Sequence, residues 1–410
     1  MSGSIAAIAA YNGTGTQGYG TIDEQDRGVK SVFWNDYDTD KHFVNGCSVS
    51  EVTSNKGTIT SEETIVFTFD NDIDAISDLQ LVVEANTVEP HETNALPPWW
   101  MALLVERVEV CVGNQVISTI NTAGLIKSFL DRENPSLYKS KIPYNLGLEA
   151  HPSVNDGDYS TIFKLPIFNT LNDNVDCSYL MGLANNQTLQ VKVYPQNLSA
   201  TDFSSNIGAN RIDSPGADFT FKLFANNCTM TNAERNLLKN QVVPKRTNIS
   251  QVATKFMPSG ETFTPSSPIT IVCDHFNIYA DALYIVAGEM PFGNNTNAGA
   301  NRAFNIEVFL NSSSYSGILP PEVTNVATSL NQYSHTDLDD VYYYKIPLSN
   351  LAMSKDQDFV PLGKYDSIRV VLTPISSITT TKSFVNTLSV IATGKTTGLY
   401  QNGAVTFSTF

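Results

Sequence analysis

The stretch VERVEVCVGNQVI, residues 105–117, decides the fold class. Every second residue from Val108 to Val112 is a valine, and this period of two places the three side chains on one face of a β-strand. Gly113-Asn114 follows and offers the positive φ angles of a tight hairpin turn, after which residues 115–117 begin a second strand. The stretch therefore predicts a β-hairpin with one buried face.

The charged residues of this stretch resemble an active site at first sight. Arg107, Glu109 and Cys111 alternate with the valines and share the opposite face of the strand. We therefore expect Glu106 and Glu109 to lie on a solvent-facing surface and not to act as a catalytic pair of carboxylates.

Short apolar runs separated by polar, Asn/Asp/Gly-rich turns continue along the chain, as in all-β proteins. In the first half the candidate strands are residues 64–70, 79–85, 107–113, 188–194 and 219–224. In the second half they are residues 269–274, 282–288, 304–310, 340–346, 367–373 and 387–393. Strands this short bury their apolar faces by packing two sheets together, which predicts β-sandwiches.

Composition and charge exclude several classes of function. The formal net charge is −16 and no run of Lys or Arg is present, so direct binding to nucleic acid phosphates is not expected. The first residues lack the basic region of a signal peptide, and no stretch approaches the roughly 20 apolar residues that span a bilayer. We expect a soluble protein that is not exported.

The five cysteines are scattered and form no CxxC pair, which predicts buried, reduced thiols and not a disulfide framework. They are Cys47, Cys111, Cys177, Cys228 and Cys273.

One pattern occurs in both halves: an apolar run ending in Asp, a short loop to a second Asp, another apolar run, and then a Val-Glu-Val or Ile-Glu-Val triplet. The paired features are Asp70 with Asp274, Asp78 with Asp281, and Val108–Val110 with Ile306–Val308. An internal duplication explains the pattern and predicts two sandwiches in tandem. We expect the boundary around residues 234–248, where Pro244 interrupts a locally basic stretch.

Several motifs, in this order, resemble those of a known family, the double jelly-roll major capsid proteins of icosahedral double-stranded DNA viruses. The stretch Val108–Ile117 is similar to the family's strand and Gly-Gly-Gln-Ile turn, with Asn114 in place of the second glycine. Further similar segments are Phe163–Phe168, Leu180–Leu183, Leu189–Val193, Asn232–Arg235, Val341–Leu348 and Pro361–Gly363. Near the end of the sequence, Asn386, Leu388, Thr393-Gly394, Gly398-Leu399 and Tyr400 keep the family's spacing, followed by an extra tail, GAVTFSTF.

The resemblance implies an all-β fold of two tandem eight-stranded jelly-roll sandwiches, with short helices in connecting loops. It implies an extended arm over residues 1–30, a first jelly roll over 31–240 and a second over 241–410. It also implies a non-enzymatic subunit that forms homotrimers. These homotrimers are the pseudo-hexameric capsomers that tile the shell. The implied partners are neighbouring capsomers, minor capsid and penton proteins and internal membrane-associated proteins, in a virion assembled in the host cytoplasm.

Three acidic clusters are candidate metal sites. Two Asp triplets resemble calcium loops but lack the Gly and Glu that an EF-hand needs at its sixth and twelfth positions. The third cluster, HTDLDD, has enough ligands to hold a divalent ion at a subunit contact, but we interpret it as a solvated acidic loop before a strand. The clusters are Asp36, Asp38 and Asp40; Asp70, Asp72 and Asp74; and His335, Asp337, Asp339 and Asp340. We therefore assign no metal, cofactor or catalytic residue.

Trp99-Trp100 follows a double proline and fits two roles equally, an exposed anchor for a partner or a cap on one end of a sandwich. No GxSxG, HExxH, P-loop or GxGxxG motif is present, so an enzyme is not expected. The alternative function is a non-enzymatic surface recognition module such as a lectin or adhesin, which only the tryptophans and the Asp triplets support.

Overall fold

The computed structural model is built mainly from antiparallel β-strands. It describes residues 44–55, 64–69, 73–88, 102, 104–130, 157–165, 181–195, 218–230, 232, 235–236, 243–257, 261–287, 304–320, 342–348, 359–379 and 387–407.

The described strands of the first half form two four-stranded sheets. In chain order they are β1 (Val44–Val52), β2 (Ile65–Thr68), β3 (Ala75–Val88), β4 (Val105–Val112), β5 (Gln115–Asn121), β6 (Gly157–Lys164), β7 (Leu189–Pro195) and β8 (Asp218–Met230). Sheet 1A has the order β1-β8-β3-β6 and sheet 1B the order β2-β7-β4-β5. Apart from the β4–β5 hairpin within sheet 1B, successive strands thus alternate between two packed sheets, which is the jelly-roll arrangement.

The described strands of the second half also form two main sheets. They are β9 (Val243–Phe256), β10 (Thr262–Phe263), β11 (Ile269–Val272), β12 (Tyr279–Ala287), β13 (Phe304–Leu310), β14 (Ser313–Ser314), β15 (Tyr342–Pro347), β16 (Val360–Pro361), β17 (Ile368–Pro374), β18 (Ile378–Thr379), β19 (Thr387–Gln401) and β20 (Ala404–Phe407). Sheet 2A has the order β9-β19-β12-β15, with β16 added to β12 and β20 to β19. Sheet 2B has the order β11-β17-β13-β14, and β10 pairs with β18.

The two halves have the same topology. Replacing β1, β8, β3 and β6 by β9, β19, β12 and β15 converts sheet 1A into sheet 2A, and the same exchange relates sheets 1B and 2B. The repeated sequence pattern falls on equivalent strands, namely β2 with β11, β3 with β12 and β4 with β13. The predicted fold of two tandem jelly rolls is therefore confirmed, and their shared topology agrees with an internal duplication.

Each pair of sheets encloses an apolar core. In β3, Leu79, Leu81 and Val83 point into the first core and are fully buried, and in β12 Leu283 and Ile285 do the same in the second. Burying one such side chain stabilises the fold by about 1.5–3 kcal/mol. The alternation of these residues with polar ones fixes which face of each strand is buried.

The hairpin predicted from residues 105–117 is present. Val108, Val110 and Val112 of β4 are buried, and β4 pairs with β5. The prediction of positive φ at both turn residues was wrong: Gly113 has φ +58°, whereas Asn114 does not have a positive φ. A glycine at the first central position with one positive φ is typical of a type II′ turn, which also matches the twist of a hairpin.

The longest helix among the described residues, α1 (Thr122–Leu130), directly follows β5. Asn121 begins it as an N-cap, because the Gly124 backbone N–H donates to Asn121 Oδ1 at 3.0 Å. Single 3₁₀ turns lie at Met181–Leu183 and Leu362–Lys364, so short helices do occupy connecting segments as predicted. In the described part of the chain, no helix is both long and apolar enough to cross a membrane.

The strands that were not predicted from the sequence include β1, β6, β9 and β20, together with the short strands β10, β14, β16 and β18. β1 and β9 are rich in polar residues, and β20 lies in the tail that follows the family-like motifs. Pro244, expected to interrupt the pattern, lies inside β9 opposite Leu399 of β19. Among the described strands β9 pairs only with β19, and a sheet-edge strand tolerates a proline because one side of its backbone is unpaired.

Candidate functional site

The carboxylates singled out in β4 belong to a small cluster of charged and aromatic side chains on the surface of sheet 1B. Arg107 donates from Nε to Glu109 at 2.9 Å and from Nη1 to Glu106 at 3.0 Å, and its guanidinium stacks 3.9 Å from the centre of the Tyr194 ring. The Tyr194 hydroxyl donates to Glu109 at 2.9 Å. Glu109 is thus engaged by two donors, and Glu106 is mostly exposed.

The pKa values in this cluster follow from its contacts. Burial and the hydrogen bond to Glu109 raise the pKa of Tyr194 above its ordinary value. Burial acts to lower the pKa of Arg107, but the hydrogen bond and charge of Glu109 outweigh it and raise that pKa. Both groups therefore hold their protons more firmly than usual, which suits a structural cluster and not proton transfer near neutral pH.

Asp74, the last residue of the second Asp triplet, is buried and forms a two-pronged ion pair with Arg235. Arg235 donates from Nε and Nη2 to the two carboxylate oxygens at 2.8 and 2.7 Å. The Met230 backbone N–H also donates to Asp74 at 2.7 Å. These bonds attach the start of β3 to the segment that leaves β8, so this carboxylate has a structural partner and is not an open calcium ligand.

The remaining candidates lie outside the described residues. They are Asp36, Asp38, Asp40, Asp70, Asp72, Trp99, Trp100, His335, Asp337, Asp339 and Asp340. Within the part of the chain that the structure describes, no group of three or more His, Cys, Asp or Glu side chains is placed to hold a metal ion.

The described thiols of Cys111, Cys228 and Cys273 are buried, and none of these three forms a disulfide. This agrees with the prediction of buried, reduced thiols for these three residues. Burial, with a smaller contribution from the charge of Asp274, raises the pKa of Cys273 to about 12. Burial also raises the pKa of Cys111. Neither thiol is the low-pKa thiolate that nucleophilic catalysis or redox sensing requires.

The most extensive specific site in the described structure is the contact between the two jelly rolls. Here β5 and α1 of the first half pack against the outer face of sheet 2A, the face turned away from its own core. The Ser250 backbone N–H donates to Ser118 Oγ at 3.1 Å, and Ser250 Oγ donates to the Thr119 carbonyl at 3.0 Å. Ser118 and Ser250 are both buried, so these polar groups are satisfied across the contact.

Two further side chains of the first half complete this contact. Asn121, besides capping α1, donates from Nδ2 to Ser389 Oγ at 2.9 Å. Lys127 of α1 places its ammonium 3.9 Å from the centre of the Tyr284 ring, and both side chains are buried. A cation over an aromatic ring shielded from water contributes on the order of 2 kcal/mol.

The C-terminal hairpin makes a separate contact with the first half. β19 and β20 are joined by Asn402 and Gly403, which have positive φ angles of 53° and 77°. The Asn186 backbone N–H donates to the Gly403 carbonyl at 2.8 Å, and the Val405 N–H donates to Gln187 Oε1 at 2.7 Å. The described part of the tail therefore belongs to the fold, and its hydrogen bonds connect the end of the second jelly roll to the first.

The corresponding outer faces of the two A sheets differ. On sheet 2A, Tyr284, Ser389 and Ile391 are buried because the first jelly roll covers them. On sheet 1A, Val49 of β1 and Ile162 of β6 are 67% and 41% exposed. The contact thus joins two different surfaces, β5 with α1 of the first jelly roll and the outer face of sheet 2A. The outer face of sheet 1A is not covered in this way and remains exposed at Val49 and Ile162.

Sequence reasoning missed the residues of this contact. Ser118, Asn121, Ser250 and Ser389 are small polar residues in strands or at a strand end, and such residues usually face solvent. One signal was available in the sequence: residues 388–392 of β19, LSVIA, are apolar except for Ser389, and such a nearly continuous apolar run is typical of a strand covered on both faces.

Comparison with known proteins supports the fold and no more specific relationship. No protein-family model matches the sequence, and no curated protein is similar enough to match. Several solved structures match with probability 1.00, and three of them illustrate the likeness. The PBCV-1 protein VP54, fitted into a reconstruction of the virophage Sputnik, has a TM-score of 0.68 at 12% identity over 90% of this chain and 98% of that one.

The other two structures come from different viruses. The Faustovirus major capsid protein has a TM-score of 0.53 at 10% identity and covers 97% of each chain. The major capsid protein of STIV has a TM-score of 0.51 at 11% identity over 86% of this chain and 97% of that one. The resemblance inferred from sequence motifs is thereby confirmed for the fold: this chain has the double jelly-roll architecture that viral major capsid proteins share.

Proposed function

We propose that the chain is a major capsid protein of an icosahedral double-stranded DNA virus and is located in the virion. The observation that carries the proposal is the pair of jelly rolls with one topology, joined by a specific buried contact. The solved structures that share this fold are capsid proteins of different viruses. A subunit of this kind is structural, and we assign it no catalytic or cofactor site.

Three chains then form the capsomer. A contact between two different surfaces, repeated around an axis, closes into a ring when the rotation allows it. Three chains place six similar sandwiches in such a ring, which gives a threefold particle a nearly hexagonal outline. Particles of that outline tile a shell, with neighbouring capsomers, minor capsid proteins and penton proteins as partners.

The proposed division of the chain follows the same architecture. We assign residues 31–240 to the first jelly roll, 241–410 to the second, and 1–30 to an arm that contacts neighbouring capsomers or internal membrane-associated proteins. The net charge of −16 fits a shell that does not contact the genome directly. Assembly in the host cytoplasm belongs to the same proposal.

Negative-stain imaging of the purified protein tests the proposal. We expect threefold particles with a hexagonal outline and six density lobes. Isolated two-lobed particles at every protein concentration would contradict it. Deleting residues 2–30 is expected to leave these particles intact and to abolish their assembly into larger arrays, and a loss of the particles themselves would contradict the role given to the arm.

A further inference from the structure

We propose that Cys47 and Cys228 form a reversible disulfide that fastens strand β1 to β8 when the protein meets a small-molecule disulfide as oxidant. The bond lies within one chain, at the point where the two strands oppose each other at these residues. In the described structure Cys228 forms no disulfide, which corresponds to the reduced state. The inference goes beyond the proposed function and does not depend on it, because it concerns the chemistry of a single chain.

The strand register brings the two cysteines together. β1 runs antiparallel to β8 with a regular register from Gly46 to Val52, in which Cys47 lies directly opposite Cys228. Directly opposed residues of an antiparallel pair have Cα atoms about 4.5 or 5.5 Å apart and share one face of the sheet. A disulfide spans Cα separations of about 4.4–6.8 Å. The two positions therefore have the backbone spacing that a disulfide requires.

A side-chain contact between the strands fixes this register. Asn227 donates from Nδ2 to Ser50 Oγ, and its Cα is paired with that of Ser48. A slip of one residue would change this contact and place Cys228 opposite Gly46 or Ser48. The pairing of the two cysteines is thus set by the same ladder that positions β1.

The register also selects which cysteine can bond to Cys228. On its other side, β3 places Ala75 opposite Cys228, and alanine has no sulfur. The two other described thiols lie in other parts of the fold, Cys111 in β4 of sheet 1B and Cys273 directly after β11 of the second jelly roll. Among the described strands, Cys47 is therefore the cysteine that opposes Cys228.

The position of β1 at the edge of its sheet gives the bond a structural role. Among the described strands β1 pairs only with β8, whereas β8 pairs with a strand on each side. Ser48, Val49 and Glu51 of β1 are exposed, so few apolar contacts hold this strand in place. Such segments open locally at a lower free energy than the core does. A covalent bond to β8 restrains that opening, so the oxidised protein is expected to be more stable than the reduced one.

The reaction consists of two thiol–disulfide exchanges with a small disulfide such as oxidised glutathione. In the first, the Cys47 thiolate attacks one sulfur of the oxidant, which forms a mixed disulfide and releases one reduced glutathione. In the second, the Cys228 thiolate attacks the Cys47 sulfur and releases the second glutathione. We assign the first step to Cys47 because Cys228 is only 4% exposed. The two protein thiols lose two protons and two electrons, and the oxidant takes up both as it becomes two thiols.

The test is oxidation of the native protein followed by peptide mapping. The protein is fully reduced, incubated without denaturant in oxidised glutathione, alkylated and digested with trypsin. Cleavage after Lys and Arg leaves Cys47 in residues 42–56 and Cys228 in residues 223–235, and the other three cysteines lie in three further peptides. We expect a cross-linked product that joins residues 42–56 to residues 223–235, and we expect dithiothreitol to remove it.

Thermal unfolding measures the structural consequence. The oxidised protein is expected to unfold about 5–10 °C above the reduced protein. Cys47→Ser and Cys228→Ala each remove one half of the pair, so oxidation should not shift their unfolding temperatures. Cys111→Ala is the matched control, because it removes a thiol outside the pair and should keep the full shift. Circular dichroism verifies the fold of each variant, and if Cys228→Ala does not fold, Cys47→Ser still allows the comparison.

Three results of the mapping would overturn the pair: full alkylation of both cysteines after prolonged oxidation, a glutathione adduct that never converts to the cross-link, or a bond from Cys47 to a different cysteine. A cross-link that leaves the unfolding temperature unchanged would overturn its role in fastening β1. The same oxidation in urea is expected to give mixed pairings, because the strand register no longer selects the partner. A single identical product in urea would overturn the argument from the register, and all of these outcomes leave the capsid proposal unaffected.

Discussion

The two jelly rolls share one topology but differ in what covers their A sheets. The outer face of sheet 2A is buried under β5 and α1 of the first jelly roll, whereas the outer face of sheet 1A is open in the single chain. The two halves therefore share a strand order, while their outer surfaces carry different side chains. Small polar and aromatic residues fill the covered face, and exposed apolar residues flank charged ones on the open face.

The largest expected effect comes from the covered face. Tyr284→Ala removes a buried ring from the contact between the halves and is expected to lower the free energy of unfolding by about 3–5 kcal/mol. Phe224→Ala, on the open face, is expected to cost under about 1.5 kcal/mol because its ring is only partly buried in the single chain. Chemical denaturation of both variants at the same protein concentration measures the difference, and equal losses would contradict the comparison.

A smaller effect is expected at the ion pair that attaches the first jelly roll to the connecting segment. Asp74→Ala leaves the Met230 N–H without its acceptor and Arg235 without its partner, at a cost of about 1–3 kcal/mol. Glu84→Ala is the matched control, because the Glu84–Lys222 pair is more exposed and contributes at most about 1 kcal/mol. If urea denaturation gives the two variants the same stability, Asp74 does not have the structural role described.

Asn121 joins the helix cap to the contact between the halves, and two substitutions separate these roles. Asn121→Ala removes both the cap and the bond to Ser389 and is expected to cost about 1–2 kcal/mol. Asn121→Asp keeps an oxygen that accepts from the Gly124 N–H. Its loss of stability should therefore be smaller and should come only from the missing hydrogen bond to Ser389 Oγ. Thermal unfolding ranks the two, and an aspartate variant as unstable as the alanine variant would contradict the capping role.

The last expected effect appears only at alkaline pH and concerns the thiols. The pKa of Cys273 is raised to about 12 from an ordinary 9.0. Between these values the unfolded thiol loses its proton while the folded one keeps it, so this group's contribution to stability is full below pH 9 and falls as the pH rises towards 12. Cys273→Ala is expected to show a weaker loss of stability over that range, measured by denaturation at pH 9 and pH 11.

Thiol labelling checks the same burial directly. At pH 8 the native protein is expected to leave Cys111 and Cys273 unmodified by a maleimide, and unfolding should make both reactive. Rapid labelling of Cys273 in the folded state would contradict the burial that raises its pKa.

Sequence periodicity predicted the strands whose two faces differ. The valines of β4 alternate with polar residues, and the structure buries them. It did not predict β1 or β9, where Ser, Thr and Asn occupy many positions and the apolar alternation is weak. In β9, Thr247 and Ser250 are buried, a burial that hydrophobic patterning does not reveal.

Local sequence patterns also did not predict hydrogen-bonded pairs of residues that lie far apart in the chain. Asp74 and Arg235 are 161 residues apart, and Ser118 and Ser250 are 132 apart. The triplet that includes Asp74 suggested a calcium loop, because a sequence window shows neighbouring carboxylates but not the arginine that the fold brings to one of them. The family-like motif around Arg235 marked the right segment without indicating its partner.

The most direct test of the account is the mass of the wild-type protein in solution, measured by light scattering after size exclusion over a range of concentrations. The account predicts a stable species of three times the 44.8 kDa chain mass. A species that stays at 44.8 kDa throughout would leave the double jelly roll standing and contradict the capsomer.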